Sequence, residues 1–163
     1  VPIVTLNDRP FGDHNVTQSA LVPGYDAYSH LNSIVLDVTF IEDGPPVSVV
    51  ATSFVLGDDD DTELTTVEVK ITNVLDAGFE GLYLYETSND IFDFSSNGST
   101  VLSFSGPGPI TEYIRILRSI TYYHNGNNPT IVPRVIKITA KDSSSALSVP
   151  VETIVTMVSR NDP

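Results

Sequence analysis

The chain has 163 residues, 40% of them hydrophobic, with no cysteine and no tryptophan. Its 21 acidic residues against 8 basic ones give a formal charge of −13, a surface that repels nucleic acid and anionic lipid and attracts divalent cations and basic partners. The length suits one domain with a real core; the missing cysteines exclude a disulfide framework, and no apolar run approaches the roughly 18 residues of a membrane-spanning helix.

Val1-Pro2 is no leader-like start and reads as the beginning of a piece cut from a longer chain. Val1 to Leu6 alternates and is β-branched, which predicts a strand ending at Asn7-Asp8-Arg9-Pro10. Phe11 to Ser33 has no clear period and reads as a long loop, residues 8–33 forming an excursion from the body of the domain. Ile34 to Phe40 puts Ile34, Leu36, Val38 and Phe40 on one face of a half-buried strand, and Glu42-Asp43-Gly44-Pro45-Pro46 breaks it. Val47 to Leu56 reads as the next strand. Thr66 to Thr72 alternates with Val67, Val69 and Ile71 inward, and Leu82 to Tyr85 and Val101 to Phe104 are shorter strands.

Gly106-Pro107-Gly108-Pro109 is a strong breaker, and Thr111 to Arg118 is the one helical segment, with Thr111 as its cap and Tyr113, Ile114 and Leu117 on one side. Ser119 to Tyr123 returns to strand, followed by the turn His124 to Pro129. Val135 to Lys141 and Val149 to Val158 are the last strands, joined by Asp142-Ser143-Ser144-Ser145, and 159–163 reads as a linker. Many short strands, turns rich in Gly, Pro and Asn, and little helix predict an all-β antiparallel Greek-key β-sandwich with one short helix, spanning 1–163 as a single domain.

The run Gly57-Asp58-Asp59-Asp60-Asp61-Thr62 carries four successive carboxylates. They repel one another, and either solvent and salt or a hard cation must neutralise them. Ca²⁺ takes six to eight oxygens, chiefly carboxylates, backbone carbonyls and water. The other oxygen donors able to join such a shell, the carboxylates Glu42, Asp142 and Asp162 and the amide Asn161, all lie at predicted strand ends. The candidate metal ligands are therefore Glu42, Asp58, Asp60, Asp142, Asn161 and Asp162, with Ca²⁺ as the cofactor.

The order of these segments resembles the cadherin-like repeat over about Ile34 to Pro163. Phe40-Ile41-Glu42-Asp43-Gly44-Pro45-Pro46-Val47 is similar to that family's early glutamate segment. Gly57-Asp58-Asp59-Asp60-Asp61 stands where the family has a paired Asp-x-Asp, Ile138-Thr139-Ala140-Lys141-Asp142 resembles its late strand, and Val158-Ser159-Arg160-Asn161-Asp162-Pro163 resembles its linker. Leu117-Arg118-Ser119-Ile120-Thr121-Tyr122-Tyr123, with Asn128-Pro129 and Arg134-Val135-Ile136, is similar to the divergent tandem repeats of large invertebrate and bacterial surface proteins. Ile120 to Tyr123 replaces the acidic segment that ordinary cadherins carry there, so one shared carboxylate pair is missing.

The resemblance implies a non-enzymatic, calcium-binding adhesion repeat on the cell surface or outside the cell. Asp58, Asp60 and Asp142 would face the preceding repeat, and Glu42, Asn161 and Asp162 the following one. Its partners would be neighbouring repeats of the same chain, together with a protein or glycan ligand, and no nucleic acid or membrane insertion. Asn15-Val16-Thr17 and Asn97-Gly98-Ser99 fit the N-glycosylation pattern of a secreted glycoprotein.

Each feature also has a plainer reading. An acidic run alone is a solvated loop, Glu42 a turn residue, and Asn161-Asp162-Pro163 an ordinary linker. His14, His30 and His124 are scattered and lack zinc-ligand spacing. No serine lies in a Gly-x-Ser-x-Gly context, and no acidic pair is singled out for glycoside cleavage. Tyr83, Tyr85, Tyr122 and Tyr123 read as sheet residues, with an aromatic sugar platform as the lesser reading. The competing function is thus a carbohydrate- or ligand-binding β-sandwich using the 8–33 excursion and exposed tyrosines.

Overall fold

Alternation of apolar and polar residues at period two generates most of the strands, because successive side chains of an extended chain point to opposite faces. The computed structural model of the chain describes residues 2–8, 16–20, 35–52, 54–58, 62–85, 93–94, 97–148 and 150–160. Its strands are β1 (Pro2–Asp8), β2 (Val16–Ala20), β3 (Val35–Ile41), β4 (Val47–Ser48), β5 (Val55–Asp58), β6 (Glu63–Ile71), β7 (Glu80–Leu84), β8 (Asp93–Phe94), β9 (Val101–Pro109), β10 (Ile120–His124), β11 (Arg134–Asp142) and β12 (Val151–Val158). The helix α1 (Ile110–Arg118) joins β9 to β10.

The chain is mostly β. A six-stranded sheet has the order β3-β12-β11-β6-β9-β8, and two three-stranded sheets have the orders β4-β10-β7 and β2-β1-β5. The pairings among the described residues are antiparallel except β3 with β12, which run parallel from Val35 opposite Glu152 to Ile41 opposite Val158. The expectation of a purely antiparallel architecture is corrected there. The two strands are separated by most of the chain, so the long connection that a parallel pair requires is present.

The inward residues of the six-stranded sheet include Leu64, Val67, Val69 and Ile71 on β6, Leu102 and Phe104 on β9, Ile136, Ile138 and Ala140 on β11, and Val151, Val155 and Met157 on β12. They join Leu82 and Leu84 of β7 and Ile120 and Tyr122 of β10 in one hydrophobic core. Phe40 of β3 meets Tyr122 edge-on, with ring centroids 5.7 Å apart. This layered arrangement is consistent with a β-sandwich.

Four local expectations are revised. The residue 8–33 excursion contains β2, which pairs along β1. The expected Val47–Leu56 strand divides into β4 and β5, because Val49, Val50 and Phe54 between them turn inward as a plug. The plug's carbonyls are taken up from outside: Thr153 Oγ1 donates to Val49 O at 2.6 Å, and Arg118 Nη2 donates to Phe54 O at 2.7 Å.

Strand β9 continues through the Gly-Pro-Gly-Pro segment. Its register against β6 slips between Ser105, opposite Thr66, and Gly108, opposite Leu64. Gly106, at φ 136°, occupies this bulge, where a residue with a side chain would be strained. Helix α1 follows directly on Pro109 with no side-chain cap, so Thr111 is not its cap; Ile110 N–H is instead satisfied by Thr62 O at 3.0 Å. Its buried residues are Tyr113, Ile116 and Leu117. The Tyr113 hydroxyl donates to Gly106 O at 2.6 Å, and burial pushes its pKa up to about 12.

Phe40 is 1% exposed and bridges the strands that close the core. Phe40→Ala is expected to lower unfolding free energy by about 3–5 kcal/mol, read from urea denaturation. A loss under about 1 kcal/mol would show that the core does not close through this ring.

Candidate functional site

The parallel pairing brings the ends of β3 and β12 together, and Glu42 stands just beyond them. Glu42 N–H donates to Val158 O at 2.8 Å. Glu42 is 1% exposed. Oε1 accepts from Asn128 N–H at 2.6 Å and Oε2 from Arg160 N–H at 2.7 Å. One buried carboxylate thus clasps the exit of β12 and the turn between β10 and β11. Asn128, held at φ 60°, presents its N–H from a left-handed conformation.

Asp142 ends β11 at the other end of the sheet, beside the start of β6, where it pairs with Leu64. Thr65 Oγ1 donates to Asp142 O at 2.8 Å. The Asp142 side chain closes its own turn, Oδ1 accepting from Ser144 Oγ at 2.7 Å and Ala146 N–H at 2.8 Å. Asp58 is the last residue of β5, opposite Pro2. The Asp58 side chain, and the whole of Asp60, Asn161 and Asp162, lie outside the described residues, as does Asn15 of the first glycosylation triplet.

The structure therefore keeps Glu42 and Asp142 at opposite ends and gives each carboxylate hydrogen-bond donors from the protein. Among the described residues, no three Asp, Glu, His or Cys side chains come together as a metal site. A carboxylate oxygen has two lone-pair directions, and each Glu42 oxygen already accepts one N–H. Each Glu42 oxygen therefore keeps one lone-pair direction beyond its protein donor. In the second triplet, Asn97 uses its amide both ways against the edge of β7: Oδ1 accepts from Leu84 N–H at 2.8 Å and Nδ2 donates to Leu84 O at 3.2 Å.

The densest polar cluster lies away from the acidic run. Arg134, at the first inward position of β11, is 0% exposed. Its Nε donates to Glu80 Oε2 at 2.7 Å, Nη2 to Asp76 Oδ2 at 2.6 Å, and Nη1 to the carbonyls of Thr130, at 2.7 Å, and Val132. Glu80 Oε2 also accepts from the Tyr122 hydroxyl at 2.7 Å. Glu80 Oε1 accepts the N–H groups of Leu75 at 2.7 Å and Asp76 at 2.8 Å.

Asp76 takes the Thr130 hydroxyl on Oδ1 at 2.7 Å and Thr130 N–H on Oδ2 at 2.8 Å. His124 Nε2 lies 3.1 Å from the same Oδ2, while Nδ1 accepts Gly126 N–H at 3.2 Å. Those partners assign the neutral tautomer with the proton on Nε2.

Burial works against ionisation of Asp76 and Glu80, but the donors outweigh it. Hydrogen bonds from Thr130 and His124, with the Arg134 charge, hold Asp76 below its ordinary value. The Asp76 N–H, the Tyr122 hydroxyl, Arg134 and the Leu75 N–H do the same for Glu80. Burial, and then the bond to Glu80, push Tyr122 upward. These carboxylates are stabilised as anions and fully engaged, the reverse of a proton donor with a raised pKa. The cluster acts as a clamp between β7, β10 and β11. The sequence did carry a signal for it: Ile120, Tyr122 and His124, and likewise Arg134, Ile136 and Ile138, fall on inward phases of their strands, and a polar residue there must find partners.

No protein family, characterised relative or solved structure matched the chain.

Arg134→Met is expected to cost about 3–5 kcal/mol, because two carboxylates lose their buried counter-charge, and Tyr122→Phe about 1–2 kcal/mol; chemical denaturation measures both. Asp76 and Glu80 titrate lower folded than unfolded. Their stabilisation is therefore complete above the unfolded carboxylate pKa of about 4 and fades as pH falls through it toward the folded values. Urea midpoints should drop between pH 6 and 3, and the drop should shrink in the Asp76→Asn, Glu80→Gln double variant. An equal drop in that variant would place the acid sensitivity elsewhere.

Proposed function

We propose that the chain is a Greek-key, cadherin-like β-sandwich repeat of an extracellular or cell-surface protein, and that it acts as a non-enzymatic adhesion spacer braced by calcium at its junctions with neighbouring repeats. The observation that carries this reading is the Glu42 clasp. It fixes Arg160, whose next residues in the chain are Asn161 and Asp162, against a buried carboxylate at one end of the molecule. At the other end, Asp142 stands beside the start of β6, which the acidic run immediately precedes. Acidic groups are thus distributed to both ends, where a tandem array would join.

In such a junction Glu42, Asn161 and Asp162 would supply oxygens on one side, and Asp58, Asp60 and Asp142 on the other. Bound calcium supplies the positive charge that lets these oxygens approach without repulsion. The protein's part is to hold Glu42 rigid through the Asn128 and Arg160 amides, so that little conformational entropy is lost on binding.

The test is thermal melting of the chain with its flanking segments in chelator, in calcium and in magnesium. At calcium about tenfold above its Kd, mass action adds roughly 1.4 kcal/mol, which raises Tm by about 3–6 °C for a domain of this size. The rise should be selective for calcium and lost in the Asp58→Asn, Asp60→Asn variant. A Tm that does not move up to 5 mM calcium would falsify the reading.

A further inference from the structure

The six-stranded sheet and the β4-β10-β7 sheet present chemically different outer faces. On the six-stranded sheet the outward positions carry charge: Glu68 and Lys70 on β6, Lys137 on β11, Glu152 on β12. Lys137 stands opposite both Lys70 and Glu152. The β4-β10-β7 sheet is different. Its inward phase is Ile120, Tyr122 and His124, so Thr121 and Tyr123 point out. Opposite Thr121 stand Ser48 and Tyr83, and opposite Tyr123 stands Gly81. Tyr85 follows on the Tyr83 side, and the two rings touch with centroids 5.0 Å apart and planes at 60°. Tyr83 is 40% exposed and Tyr85 60% exposed. In a molecule of charge −13, the described residues of this face include no ionised group. Every one of them carries a hydroxyl except Gly81.

Gly81 shapes the surface. A Cβ there would come within 2.6 Å of Gly98 O and 3.0 Å of the Tyr123 hydroxyl. Gly81 is itself buried, so the Gly98 carbonyl and the Tyr123 hydroxyl close over it, and the open part of the face is the bent Tyr83–Tyr85 surface beside them. Two exposed rings and a field of hydroxyls match a ligand with apolar C–H faces and a rim of hydroxyls, which is the surface of a pyranose.

We propose that the outer face of the β4-β10-β7 sheet binds a neutral oligosaccharide, with Tyr83 and Tyr85 stacking on sugar rings and Thr121, Ser48 and the Tyr123 hydroxyl bonding to sugar hydroxyls. Electrostatics select this occupant. A basic peptide would be drawn to carboxylates, and the described residues of this face carry none. An anionic glycan or lipid surface is repelled by the net charge, and so is a second copy of the chain. A neutral polyol carries no such penalty, and aromatic rings with a polar handle suit it. The proposal does not depend on calcium.

The experiment is calorimetric titration, with NMR mapping, of the purified chain against hexasaccharides of β-linked glucose, mannose, galactose and N-acetylglucosamine, with polygalacturonate as the anionic probe, all in chelator. Binding of at least one neutral probe at millimolar or lower concentration is expected, with shifts centred on Tyr83, Tyr85 and Thr121. Tyr83→Ala and Tyr85→Ala should each weaken it about tenfold or more, and Tyr85→Phe, which keeps the ring, much less. Melting of these variants should stay near that of the parent, since both side chains are exposed. No neutral binding, preference for the anionic probe, or affinity that survives both alanine changes overturns the proposal. So does concentration-dependent dimerisation abolished by those changes, which would assign the face to a second copy. Because the titration is run in chelator, its failure and that of the calcium reading are separable.

Discussion

A guanidinium loses several kcal/mol of hydration when it leaves water, and Arg134 is removed from water completely. Its position is tolerable only because Glu80, Asp76 and the carbonyls of Thr130 and Val132 meet its N–H groups. Those partners come from β7, from the segment before it, and from the turn between β10 and β11. Apolar burial is non-directional and would accept many placements of one sheet over another. A hydrogen-bonded charge network accepts very few. Arg134 starts a strand of the six-stranded sheet, while Glu80, Tyr122 and His124 belong to the β4-β10-β7 sheet, so this cluster sets how the two sheets meet.

Glu42 repeats the same logic on a smaller scale. The parallel β3–β12 pair delivers it to the exit of β12, where its two oxygens gather amides from Asn128 and Arg160. The Asn128 turn is continuous with the Thr130–Val132 segment that Arg134 holds, so both clamps act on one connection. In each, a carboxylate does what a backbone carbonyl would do in a regular sheet. The acidic composition is thus partly architectural, since Asp76, Glu80, Glu42 and Asp142 all answer protein donors.

The outer faces divide the remaining work. Charge of both signs keeps the broad sheet solvated, while the small sheet offers rings and hydroxyls without charge among its described residues. The edge of β7 is closed by the Asn97–Ser99 turn, through Asn97 to Leu84 and through Gly98 N–H to Leu82 O at 2.9 Å. That closure protects the strand from edge-to-edge pairing, covers Gly81 and leaves the Tyr83 and Tyr85 rings exposed.

Strands whose residues alternate, such as Val67-Glu68-Val69-Lys70-Ile71 and Ile136 to Ala140, were legible in one dimension, because a period of two is a local property of extended backbone. So were the helix near Thr111 to Arg118 and the placing of Glu42, Asp58 and Asp142 at strand ends. What each strand pairs with was not, since register between distant segments depends on a shared core and not on either segment. The parallel β3–β12 pair, the strand that persists through Gly106 to Pro109, and the plug from Val49 to Phe54 are all of that kind. The same holds for the polar groups. Glu42 and Arg134 look ordinary along the chain, and only the meeting of segments far apart in it gives a buried charge its partners.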